Sequence, residues 1–215
     1  MTAGPSVDAP RRDWLEVVAT VLLSLAAVAT TWSSYQATRW NGEQAKAASR
    51  ANAVRFEATQ ASSLADSQTQ VDVATFIQWI DANATGDDSL ASFYADRFRA
   101  EFKPAFDAWV AMDPLSNPDA PPTPFAMDEY RPEARTTAEQ LDAEGEGYSA
   151  AVRRDVQRAG NYVLGVVLFA VTLFFAGMST RLGGRGARTT MLVIGCVIFV
   201  GTVAWIATFP VTVSV

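Results

Sequence analysis

The chain has 215 residues, a net charge of −6, no histidine and a single cysteine, Cys196. Those counts exclude a disulfide framework, a Cys/His zinc centre and any nucleophilic mechanism that relies on a histidine base. Acids concentrate in the middle of the chain, with 18 acidic against 5 basic residues between Phe56 and Ala150. Such a surface repels phosphate, so no nucleic-acid partner is expected.

Residues 1–12 form a short tail carrying Arg11 and Arg12. Asp13-Trp14-Leu15-Glu16 reads as a helix start, with Asp13 as cap and Glu16 reaching back to it. The first span is placed at 13–40, around the uncharged run Val17–Thr38, which exceeds the roughly 20 residues needed to cross a bilayer. This run is too long for a signal-peptide core, so it is expected to be retained. Trp32, Tyr35 and Trp40 fit an aromatic belt at the membrane exit. Ala26, Thr30 and Ser34 make a small-residue ridge at i+4 spacing, a candidate helix-packing face. The polar hydroxyls around it also suit a hydrated cavity wall, a weaker alternative.

An extramembrane domain is expected over 41–158. From Glu43 to Ile80 the sequence is rich in strong helix formers, and no proline occurs between Pro10 and Pro104. Gly42 is the one plausible break, but a lone glycine costs a helix only about 1 kcal/mol. A helix continuous with the first span is therefore favoured. Val73, Phe76, Ile77 and Ile80 propose its packing face. Asn83–Asp88 reads as a turn, after which Asp88 or Ser89 caps a second helix. That helix carries an aromatic stripe from Leu90 to Val110, kinked at Pro104. The stretch 113–132 holds six prolines and is read as an extended strap anchored by Phe125, Met127 and Tyr130. A third helix begins near Glu133, carries Leu141, Tyr148, Val152 and Val156 on one face, and runs into the second span.

Asp81, Asn83, Thr85 and Gly86 echo the start of an EF-hand calcium loop. Ser92 stands where the bidentate glutamate belongs, so no metal is expected. The acids Glu139, Asp142, Glu144 and Glu146 read as a solvated face.

The second span is placed at 159–180, a connector at 181–188 and the third span at 189–213. The connector carries Arg181, Arg185 and Arg188 without an acid. A short arginine-rich loop resists translocation, whereas long loops cross largely regardless of charge. The N-terminus is therefore expected in the cytoplasm and the domain outside, although Arg39, Lys46, Arg50, Arg55, Arg153, Arg154 and Arg158 oppose that assignment. No ionisable residue lies within the core of any span, which argues against a proton relay. The fold class is an all-α membrane protein: three transmembrane helices, with a bundle of about three helices and a proline-rich strap inserted between spans 1 and 2.

Several strings carry a resemblance: Trp32-Ser33-Ser34-Tyr35-Gln36-Ala37, Trp40-Asn41-Gly42-Glu43-Gln44-Ala45, Pro124-Phe125-Ala126-Met127, Tyr162-Val163-Leu164, Leu168-Phe169-Ala170 and Phe174-Phe175-Ala176-Gly177. With them the chain resembles a family of small bacterial membrane proteins of three-span layout. The resemblance covers most of the length. It implies a location in the bacterial plasma membrane and transfers no functional residue.

No catalytic constellation or cofactor motif emerges, so no enzyme and no cofactor are expected. The reading favoured by the sequence is an integral membrane protein whose acidic helical domain mediates interaction or self-assembly. Its partners are the lipid bilayer and either a second copy or another membrane protein. The alternatives are a ligand-sensing module without its own output domain, or a subunit of an oligomeric channel or transporter.

Overall fold

A computed structural model describes residues 14–114 and 116–212. Among them the protein is all-helical, with no strand. Its elements are α1 (Trp14–Ala84), α2 (Asp88–Ala95), α3 (Lys103–Ala111), a 3-10 turn (Pro124–Ala126), α4 (Glu133–Ser179) and α5 (Arg185–Ile206). Stretches of α1, α4 and α5 are long and apolar enough to cross a membrane, with mean hydropathies of 1.8, 2.1 and 2.2. The expected helix cap Asp13, and Arg11 and Arg12, lie outside the described residues.

α1 runs unbroken through Gly42. No atom lies within 4 Å of where a Cβ at Gly42 would sit, so this glycine serves no close approach and simply fails to break a well-supported helix. The chain divides into two compact units: 1–47 with 150–215, and 48–149.

In the first unit, α1, α4 and α5 pack through small residues and a few large ones. At one end Ala19, Leu22, Ala176 and Leu192 are buried together. At the other the core is Ala37, Trp40, Ala159, Tyr162, Phe169 and Ile206. Glycines bring the helices close. A Cβ on Gly195 would meet Leu22 Cδ2 at 3.4 Å, and one on Gly165 would overlap Ile206 Cδ1. α5 starts four residues earlier than the sequence suggests, because Gly184 is extended and caps it. It ends at Ile206, before Pro210, which lacks the N–H a continuing helix needs. The segment beyond α5 is tied back. Gln36, fully buried, accepts from Thr212 N at 3.3 Å and Thr212 Oγ1 at 3.1 Å. The Tyr162 hydroxyl donates to Pro210 O at 3.2 Å.

In the second unit, the buried and half-buried positions of α1 recur as Ala51, Val54, Ala58, Ala61, Ala65, Thr69, Asp72 and Phe76. Those of α4 are Ala134, Ala138, Leu141, Gly145 and Tyr148. Spacings of three and four give the seam of a coiled coil. The order is antiparallel: Arg55 donates to Ser149 Oγ at 2.8 Å, while Arg135 reaches Asp66 at 2.7 Å. Alanine and glycine at this seam permit close packing, and a Cβ on Gly145 would sit 3.4 Å from Arg55 Cγ.

The expected long aromatic helix is two short ones. Pro104 sits in the first turn of α3, where its missing N–H costs nothing. Residues 96–102 form the bend that precedes it. The cap of α2 is Asp87, not Asp88 or Ser89. Its carboxylate accepts from Leu90 N at 3.0 Å and Ser89 Oγ at 2.8 Å, and these bonds hold its pKa below the ordinary value.

Candidate functional site

The second unit is organised around one aromatic cluster. Phe76 of α1 sits among Phe102, Phe106, Trp109 and Phe125, meeting all four edge-on at centroid distances of 5.4 to 6.4 Å. Trp79 stacks on Phe76 at 5.9 Å and meets Phe106 edge-on at 4.8 Å. Each such pair adds about 1 kcal/mol beyond its buried area. The packing face of α1 is therefore Thr69, Asp72, Phe76 and Trp79. Ile77 and Ile80, expected to pack, are 48% and 41% exposed. Likewise Phe98, Phe102, Phe106 and Trp109 are core, while Leu90, Phe93 and Val110 of the same stripe are exposed.

A polar network lies beside this cluster. Asp72 is fully buried. Its Oδ2 accepts from Arg99 Nη1 at 2.8 Å and from the Tyr130 hydroxyl at 3.0 Å, and its Oδ1 has no partner. Arg99 also reaches Glu101 at 2.5 Å. Burial raises the Asp72 pKa against the opposing pull of Tyr130 and Arg99. Burial also raises that of Tyr130. The network joins α1, the bend before α3 and the chain ahead of α4, and every member is engaged by another. It holds three segments in register. The sequence gives one signal of it, an aspartate at a seam position between Ala65 and Phe76.

The end of the second unit holds an open groove of about 510 Å³. The end of α1 supplies Trp79, Ile80 and Asn83 to it, α3 supplies Trp109 and Val110, and the following segment supplies Asp113, Pro121 and Pro122. Its walls are held from below. Trp109 Nε1 donates to Pro121 O at 2.8 Å, fixing the proline segment against α3. Asn117 Nδ2 donates to Met112 O at 3.1 Å, and its Oδ1 accepts from Asp119 N at 3.0 Å. Asp113 turns the chain out of α3 with φ +50°, the left-handed region that aspartate and asparagine tolerate best after glycine. No hydrogen bond or ion pair engages the Asp113 side chain among the described residues.

The residues singled out by sequence lie elsewhere. Ala26 is fully buried in the first unit, Thr30 is half-buried with its hydroxyl on Ala26 O at 2.7 Å, and Ser34 is exposed. Trp32 and Tyr35 are exposed neighbours with ring centroids 6.0 Å apart. Trp40 instead packs in the core, and the Arg158 guanidinium lies 4.5 Å from its ring. Arg181 and Arg185 are exposed, whereas Arg188 Nε donates to Ser179 O at 3.1 Å and closes the turn between α4 and α5. Asp81 and Asn83 belong to the last turn of α1, not to a loop, and Thr85 Oγ1 donates to Asp81 O at 2.9 Å. Among the described residues no group of three or more acids and cysteines is placed to hold a metal. No family model, no curated protein and no solved structure matches this chain.

Proposed function

We propose that the chain is a non-enzymatic membrane protein that carries a binding module, unit 48–149, on helices anchored in the bacterial plasma membrane. The N-terminus is cytoplasmic and the acidic module extracytoplasmic in this reading. The observation that carries it is the groove over Trp79 and Trp109. It is apolar, open, braced by its own hydrogen bonds, and of the size that small-molecule sites have. That size favours ligand recognition over a purely structural role. Recognition of a protein partner or a second copy is the companion reading. Native mass spectrometry of the full chain extracted in mild detergent tests the proposal. A retained ligand or partner is expected above the 23.1 kDa chain, and Val110→Arg should remove a ligand held in the groove. A bare chain under the gentlest extraction counts against both readings.

A further inference from the structure

We propose that the groove binds a small organic cation with an apolar body, of the alkylated-ammonium class. The inference rests on the ligand-binding reading above and adds the charge and shape of the ligand. Asp113 is the only charged residue among those lining the groove, and no lysine or arginine lines it. Its carboxylate has no protein partner among the described residues. Asp113 is exposed, and a solvated carboxylate on the groove's lining favours positive charge over anions. The surrounding field acts the same way, because the module carries 18 acids against 5 bases between Phe56 and Ala150.

The walls define the rest of the ligand. The half-buried Trp79 and the buried Trp109 pack edge to face at 76° with centroids 6.4 Å apart, and both contribute to the groove wall. An indole attracts a cation electrostatically and attracts most strongly one with a thin hydration shell. Ile80, Val110, Pro121 and Pro122 complete an apolar surround, which disfavours a hydrated metal ion. A single carboxylate is also too few oxygens for calcium or magnesium. A methylated ammonium meets all three conditions: permanent charge, weak hydration and an apolar shell.

The test uses the full chain in an uncharged maltoside detergent at fixed ionic strength. Binding of choline and of its neutral carbon isostere, 3,3-dimethylbutan-1-ol, is measured by ligand-detected NMR. Choline should bind about tenfold more tightly than the alcohol. Asp113→Asn keeps a residue suited to the left-handed backbone and removes the charge. It should weaken choline several-fold and leave the alcohol unchanged. Val110→Lys places an ammonium in the groove and should abolish choline binding while helicity is retained. Equal affinity for the two probes, indifferent to Asp113→Asn, overturns the cation assignment but leaves a ligand groove standing. Choline binding that survives Val110→Lys places the site elsewhere and also overturns it. Binding of neither probe by a folded chain overturns the cation proposal and leaves the ligand-binding reading to the mass-spectrometric test above.

Discussion

At the residue scale, Asp72 shows how one buried carboxylate can fasten several segments. Removing it takes the shared acceptor from one arm of the Arg99 guanidinium and from the Tyr130 hydroxyl, which keeps only Thr69 Oγ1 at 3.2 Å. Asp72→Ala is therefore expected to cost about 3 kcal/mol, read as a fall in the thermal midpoint of the full chain in detergent. Its pH dependence has a definite sign. Burial raises the folded-state pKa above the unfolded value, about 3.9 for aspartate, so the folded chain holds this proton more tightly. The contribution of Asp72 to stability is then greatest below about pH 3.9 and is lost as pH rises through the folded value. The stability difference between the parent and Asp72→Asn should shrink from about pH 4 to pH 7. A difference that grows over that interval would show the ion pair outweighing desolvation. Asp72 stands out only once the folded seam is seen, as a polar residue in an otherwise apolar register. Its partners Arg99 and Tyr130 lie 27 and 58 residues away, with no periodicity linking them.

At the scale of elements, helix existence was legible and helix faces were less so. The apolar runs mark the spans because hydrocarbon demands a long uninterrupted stretch, a one-dimensional property. The unbroken α1 followed from its composition and the absence of proline. What failed was local. Ile77 and Ile80 satisfied a helical spacing, yet the seam follows Asp72, Phe76 and Trp79, because an aromatic cluster gathered from distant segments outweighs two aliphatic side chains. Pro104 opens α3 and does not kink a longer helix, and the sequence does not separate the two because proline has the same φ in both settings. The groove was invisible in sequence, since its residues come from three segments brought together only by folding. Two substitutions test the packing account. Gly42→Ala adds a methyl to open space inside a helix and should stabilise the chain by about 1 kcal/mol. Gly165→Ala drives a methyl into Ile206 Cδ1 and should lower the thermal midpoint. The loss should be smaller in an Ile206→Val background, where that atom is gone. Equal losses in both backgrounds would mean that the close approach lies elsewhere.

At the scale of the whole molecule, the proposed orientation is the claim with the widest reach, since it decides which compartment the groove samples. Single cysteines introduced into a Cys196→Ala background settle it with an impermeant maleimide in intact cells whose outer layers admit the reagent. Ser116→Cys, in the proline segment, should label, and Arg185→Cys should not. The opposite pattern would place the groove in the cytoplasm. One contact in the membrane unit also bears on how the chain is made. Gln36 meets Thr212, 176 residues later in the chain. Translation at roughly 5–20 residues per second therefore separates the two by about 10 to 40 s. During that interval the first span holds its Gln36 amide, near the membrane exit, without the partner it has in the folded chain. The first helix is thus inserted before its buried Gln36 amide can meet its partner, and chains truncated ahead of Pro210 should be removed by a membrane quality-control protease faster than the parent.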